Sequence, residues 1–247
     1  MQEDKHPEWY ESWFDSLYYH LLYSNRDMSE AELFINNIIE LLTPKKHARV
    51  LDLACGKGRH ATYLNKKGFD VTGIDLSPQS IEYAKQSETD LLHFYVHDMR
   101  KLFRTNYFDI ALNLFTSFGY FENDRDDNAV INSVCKALKP GGIFVLDFMN
   151  SKKAIVDLVT EETKTINNIS FRITKKVENG FIVKRISFTD KGKDHVFEER
   201  VKTLMLSDFE KYFEANELKI VNLRGSYKLE EFNENTSDRL IIIGRKE

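Results

Sequence analysis

The sequence predicts an α/β protein built on one mostly parallel sheet, and three observations carry that expectation. Between residues 48 and 148, short apolar runs alternate with stretches of helical periodicity, the spacing of βαβ units. Two glycines, Gly56 and Gly58, stand where the first apolar run passes directly into a helical stretch. After about residue 160 the pattern shifts to strict alternation around Asn179-Gly180, a strong hairpin signal, which predicts an antiparallel insertion.

From Trp9 to Tyr23, apolar residues recur at helical spacing: Trp9, Trp13, Leu17, Leu21 and Leu22. A second amphipathic helix is expected over 28–42, with Ser29 as its N-cap and Pro44 closing the region. Strands are expected at 48–54, 69–75, 92–98, 108–115 and 142–148. Helices are expected at 58–68, 77–87 and 124–138; the second starts at a Ser77 cap with Pro78 in its first turn. In the insertion, Ile169, Phe171 and Ile173 alternate on one strand and Phe181 and Val183 on the next. A third strand, 194–206, follows a turn at Asp190–Lys193. A helix at 207–217 and strands at 218–227 and 238–246 complete the chain. Right-handed crossovers place a ligand at the carboxyl ends of the parallel strands.

Composition bounds the function. Hydrophobic residues are 42% and charged ones 30% of 247, too apolar for a disordered chain and enough for a core without staples. A net charge of −4 does not favour non-specific nucleic-acid binding, which rests on counterion release by a basic surface. Cys55 and Cys135 form no CxxC pair, the first residues lack a signal-peptide pattern, and no run approaches a membrane span. The cytoplasm is the expected compartment. The seven histidines show no metal-binding spacing, so no required metal is expected.

The informative segment is Val50–Leu64, VLDLACGKGRHATYL. With Ala61, the two glycines satisfy G-x-G-x-x-G/A, which lets backbone approach a ligand at a helix N-terminus. Asp75 ends the second strand 19 positions after Gly56, where a carboxylate accepts hydrogen bonds from ribose hydroxyls. Asp52 discriminates among adenosine ligands. Beside the loop it would oppose a pyrophosphate, since like charges at about 4 Å repel by about 4 kcal/mol at intermediate dielectric. An ammonium and a sulfonium suit it better. A purely structural role, binding loop amides, is the other reading of Asp52.

DLACGKG resembles the first motif of class I S-adenosylmethionine-dependent methyltransferases, and GIDLSPQSIEYAK their ribose-binding second motif. HDMR (97–100), FDIALNLFTSFGYF (108–121) and LKPGGIFVLD (138–147) resemble the next three motifs, in the family's order. The resemblance implies a Rossmann-like, seven-stranded, mostly parallel sheet with helices on both faces. Residues 1–45 would form an N-terminal helical cap, 46–158 and 207–247 the core, and 159–206 the antiparallel β insertion of a single domain. It also implies that Ala54, Gly56 and Gly58 lie against the methionine portion, with Asp75 on the ribose. Leu76 and Met99 would flank the adenine, Asp98 would read its amino group, and Leu114 would supply backbone contacts. Core packing is the alternative role for Leu76, Met99 and Leu114, and a strand-end cap for Asp98. Ala54 and Cys55 depart from the family, where glycine is common at one or both positions.

The N-terminal aromatics are expected to be mostly core, with Tyr19 or Tyr23 closing over the methyl group. Arg26 is the candidate partner of the cofactor carboxylate, or else a surface arginine. Thr116, Ser117 and Tyr120 are the candidate acceptor pocket. His60 and His97 are weighed as a base against plain packing, and no catalytic residue stands out. The expected function is methyl transfer to a small-molecule acceptor, leaving S-adenosylhomocysteine. An RNA or protein methyltransferase, a nicotinamide-dependent oxidoreductase and a non-catalytic cofactor-binding module are the competing readings.

Overall fold

A computed structural model describes residues 8–23 and 28–247. In chain order the elements are α1 (Trp9–Phe14), α2 (Leu17–Leu22), α3 (Met28–Leu42), β1 (Arg49–Leu53), α4 (Arg59–Lys66), β2 (Asp70–Asp75), α5 (Pro78–Lys85), β3 (Leu92–Val96), β4 (Phe108–Asn113) and α6 (Asp124–Ala137). They continue with β5 (Leu138–Met149), α7 (Ser151–Val156), β6 (Glu161–Ile166), β7 (Ile169–Glu178), β8 (Phe181–Asp190), β9 (Lys193–Lys202), α8 (Leu206–Glu214), β10 (Leu218–Arg224) and β11 (Arg239–Lys246).

The chain divides into two compact units. The larger, residues 28–154 and 204–247, holds a seven-stranded sheet of order β10-β11-β5-β4-β1-β2-β3. Strands β1 to β5 run parallel, and β11 is antiparallel to both β5 and β10. Strand order reverses between β1 and β4, so the crevice at that switch point opens between the loops that follow these strands. On one face, Phe34, Ile35 and Ile38 of α3, Ala61 and Leu64 of α4, and Ile81 and Ala84 of α5 cover Val50, Val71, Phe94, Ile110 and Val145. Phe144 and Phe148, alternating with Val145 along β5, point to the other face and meet Phe213 and Phe209 of α8. Helices therefore cover both faces, as a parallel sheet requires.

The smaller unit joins residues 8–23 to residues 155–203. Its antiparallel sheet has the order β6-β7-β8-β9, and three two-residue turns set its register. Asn167-Asn168, Asn179-Gly180 and Lys191-Gly192 all have positive φ at both positions, the backbone of a type I′ hairpin. Trp13 and Leu22 pack with Phe171, Ile173, Ile186 and Phe188, and Trp9, Phe14, Tyr18, Tyr19 and Tyr23 border them. The N-terminal aromatic stripe is thus the core of this unit.

Several sequence expectations are corrected. The helix expected over Trp9–Tyr23 breaks at Asp15 and Ser16, because the Ser16 side chain caps α2 by accepting from the Tyr19 amide at 3.0 Å. Ser29 is not an N-cap; it lies within the first turn of α3, which includes Met28. The expected third strand ends at Lys202, and Met205 precedes α8, its amide bound by Asp208 at 3.0 Å. The insertion also has a fourth strand, β6, whose Asn-Asn turn was the overlooked signal. The expected N-terminal cap splits, α1 and α2 joining the insertion while α3 packs on the core.

Candidate active site

The loop from β1 into α4 is built on left-handed backbone. Ala54 (φ 54°), Gly56 (φ 54°) and Gly58 (φ 79°) all occupy it. At Ala54 a side chain is carried at a cost of about 1–2 kcal/mol, which explains why glycine would serve there. The two glycines have different reasons. A Cβ on Gly56 would meet nothing within 4 Å, so its space faces open solvent or a ligand. A Cβ on Gly58 would stand 2.6 Å from the Phe94 ring and 3.2 Å from Ala84, so Gly58 serves helix-to-strand packing. Gly73, which opens the second motif but was assigned no role from the sequence, answers to the same ring at 2.6 Å.

Asp75 ties the loop to the next helix. Its Oδ2 accepts from the Gly56 amide and its Oδ1 from the Ser77 amide, both at 2.8 Å. Asp52, 1% exposed, lies inside the end of β1. Its Oδ2 has no hydrogen-bond partner among the described residues. Burial pushes its carboxyl up to about 7. The Ala61 amide and Arg59 oppose that rise, and the charge of Asp75 adds to it. Burial and the two acids also raise the Cys55 thiol, the opposite of an activated nucleophile.

At the end of β3, Asp98 is gripped by Arg100. The backbone amide donates to Oδ1 at 2.9 Å and the guanidinium to both oxygens at 2.8–3.1 Å. Burial pushes this carboxyl upward, but the hydrogen bonds and charge of Arg100 outweigh it and hold the group below the ordinary range. Arg100 also reaches Asp126 at 3.2 Å and lies 4.8 Å over Phe121, a role the sequence expectations missed. Leu76 is exposed at 36%, unusual for a leucine directly after a buried strand. Met99 is half-buried, its carbonyl accepting from Ser133 at 2.7 Å. Leu114 is buried.

After β4, Phe115 (φ 60°) and Thr116 (φ 59°) are consecutive left-handed residues, rare for non-glycine positions and unfavourable for bulky ones. Fully buried Asp147 holds both: Oδ2 accepts from the Phe115 amide at 2.7 Å, and the Asp147 carbonyl accepts from the Thr116 amide at 3.0 Å. Arg239 donates to Asp147 Oδ1 from Nε and to Thr116 Oγ1 from Nη2, at 2.8 and 2.9 Å. Tyr227 donates to Asp147 at 3.3 Å and packs 5.1 Å from Phe115. Ser117 Oγ donates to the Leu114 carbonyl at 2.8 Å, and the Tyr120 hydroxyl donates to the Thr116 carbonyl. None of Asp147, Tyr227 and Arg239 was a sequence-derived candidate; an Asp closing β5 and an Arg opening the last strand were the visible signals.

The remaining candidates separate. Tyr19 and Tyr23 belong to the smaller unit. Tyr19 packs against Trp13 and Phe14. The Tyr23 hydroxyl donates to Glu199 at 2.7 Å and receives Lys184. Arg26 lies outside the described residues. His60 stacks on Phe115 at 5.0 Å, and His97 contacts the Lys101 carbonyl at 2.9 Å, so both have packing partners.

A doubly wound sheet, a glycine turn at its switch point and a strand-end Asp bound to that turn make up the site's frame in this α/β protein. The chain belongs to the methyltransferase-domain family, whose model matches residues 44–204. The class is that of S-adenosylmethionine-dependent methyltransferases. The Bacillus subtilis protein YqeM is 38% identical over 120 residues, so the chain spans about half of that relative, 47% of each. The dTDP-3-amino-3,4,6-trideoxy-alpha-D-glucopyranose N,N-dimethyltransferase of Streptomyces venezuelae is 25% identical, covering 84% of this chain and 91% of its own. A solved S-adenosylmethionine-dependent methyltransferase from Clostridium acetobutylicum shares the fold, with TM-score 0.78, 21% identity and coverage of 93% and 96%. Among the described residues no helix is long and apolar enough to cross a membrane.

Proposed function

We propose that this protein transfers a methyl group from S-adenosylmethionine to the nitrogen of a small-molecule amine in the cytoplasm. The residues present fit the cofactor. Asp52 offers a buried carboxyl oxygen without a partner to an ammonium, and the space over Gly56 is open to the methionine portion beside Ala54 and Gly58. Asp75, anchored by two amides, faces the ribose; Leu76 and Met99 flank the adenine, Asp98 held by Arg100 reads its edge, and Leu114 contributes backbone. When bound, the cofactor supplies an electrophilic methyl group on a sulfonium sulfur.

The observation that carries the amine reading is the polarity of the hydroxyls beyond β4. The Ser117 hydroxyl has committed its proton to the Leu114 carbonyl, which leaves an oxygen lone pair to accept an N–H, and the Tyr120 hydroxyl donates to the Thr116 carbonyl. A neutral amine attacks through its own lone pair, so no strong base has to be assembled. The chain's tasks are alignment and water exclusion, and oriented proximity alone contributes about 7–11 kcal/mol. The N,N-dimethyltransferase relative supports this choice because its likeness runs through most of both chains, whereas the YqeM match covers about half of each. Both cysteines are free thiols, in keeping with a reducing compartment.

The test is S-adenosylhomocysteine release with glycine, sarcosine, a dTDP-linked 3-amino sugar and total tRNA offered separately. Turnover on an amine with a methyl mass gain at nitrogen is expected. Methylation of tRNA, or of hydroxyl acceptors with every amine inert, refutes the reading.

A further inference from the structure

The arrangement around Asp147 goes beyond cofactor binding. Asp147 is 0% exposed, accepts from the Phe115 amide, the Tyr227 hydroxyl and Arg239 Nε, and is ion-paired with Arg239 Nη2 at 2.8 Å. With its carbonyl on the Thr116 amide as well, one residue grips both left-handed positions of the turn after β4. It has no oxygen left for an acceptor, so its part is to position other groups. Arg239 extends the grip. Its Nη2 enters a lone pair of Thr116 Oγ1 at 2.9 Å, so the Thr116 hydroxyl cannot turn its proton toward Arg239. That proton has no partner among the described residues, and Thr116 is half-buried rather than enclosed. The neighbouring Ser117 hydroxyl has the reverse polarity, its proton on the Leu114 carbonyl.

We propose that Asp147 and Arg239 are positioning residues for the acceptor: they hold Phe115 and Thr116 in the left-handed turn and orient the Thr116 hydroxyl as a donor to an oxygen of the acceptor molecule. The acceptor class this selects carries an oxygen, in a hydroxyl or carboxylate, close to the amine that Ser117 receives. The inference rests on the reading that this turn lines the acceptor site. It assigns a polarity pattern, one donor at Thr116 beside one acceptor at Ser117, and gives the buried ion pair a reason to be there.

Four variants test it: Thr116→Val, Thr116→Ser, Arg239→Lys and Asp147→Asn. Arg239→Lys keeps the charge beside Asp147 but loses the fork that reaches Thr116. The first measurement is amide hydrogen exchange over residues 113–121, which needs no acceptor. Asp147→Asn should speed exchange at Phe115 and Thr116 by about tenfold, with S-adenosylhomocysteine affinity by calorimetry within about twofold of the parent. Unchanged exchange there overturns the clamp. The second is steady-state methylation of whichever amine in the panel above is turned over. Thr116→Val and Arg239→Lys should raise its KM by about three- to tenfold with kcat held, and Thr116→Ser should restore most of the loss. An unchanged KM, or cofactor affinity falling in step with activity, overturns the orienting role. If no amine is turned over, the amine reading falls while the exchange result still decides the clamp.

Discussion

The Asp52 carboxyl makes cofactor binding a proton-linked event. Its oxygen is buried without a partner, and burial has lifted it to about 7, so near neutrality about half of the free protein carries a proton there. An ammonium placed against it favours the ionised form, so the carboxyl must lose that proton when the cofactor binds. Linkage then sets the slope: below about pH 7, affinity should fall by up to tenfold per pH unit, and above it the dependence on this group should vanish. Asp52→Asn should remove the slope and weaken binding at pH 7.5 by about ten- to a hundredfold, the range for a hydrogen bond to a charged group. Calorimetry of S-adenosylhomocysteine binding from pH 5.5 to 8, in buffers of contrasting ionisation enthalpy, measures both affinity and protons released. A flat profile with no buffer dependence, or a slope that survives in Asp52→Asn, refutes the assignment. Folding stability follows the same group with its own sign. The folded value lies above the unfolded one near 4, so stability from this site is fully present below pH 4 and lost as pH rises toward 7.

Further expectations follow from individual contacts. Gly56→Val should lower Tm, because its left-handed φ disfavours a β-branched residue although a Cβ there meets nothing, and the folded variant should lose S-adenosylhomocysteine binding; retained tight binding contradicts the placement of the loop. Gly58→Ala should lower Tm through the clash with Phe94, and a melting curve equal to the parent's counts against that packing. Asp75→Ala should weaken cofactor binding by about 1–3 kcal/mol in calorimetry, and an unchanged affinity argues against the ribose role. In the smaller unit, Glu199→Ala removes the partner that Trp13, Tyr23 and Lys184 share, and should destabilise it by about 1–3 kcal/mol. Denaturation with tryptophan fluorescence reports this directly through Trp13; a midpoint that does not move removes Glu199 from the account.

Much of this protein was legible in residue order because local rules decide it. The alternation of apolar runs and helical stretches dictates βαβ units, and handedness then sends the ligand to the carboxyl ends of the strands. Asn179-Gly180 announced its hairpin because two left-handed residues leave few other turns. The glycine turn and Asp75 were found because motif spacing reflects the reach of one strand, one turn and one helix. Tertiary structure alone decided which glycine faces open space and which faces Phe94, since those neighbours lie far away in sequence. It also joined Trp9–Leu22 to the antiparallel sheet, because an aromatic stripe records a need for burial without naming the surface that meets it. Asp147 and Arg239 were invisible as a pair for the same reason. They stand 92 positions apart, and only the antiparallel pairing of β11 with β5 brings their charges together beneath the Thr116 turn.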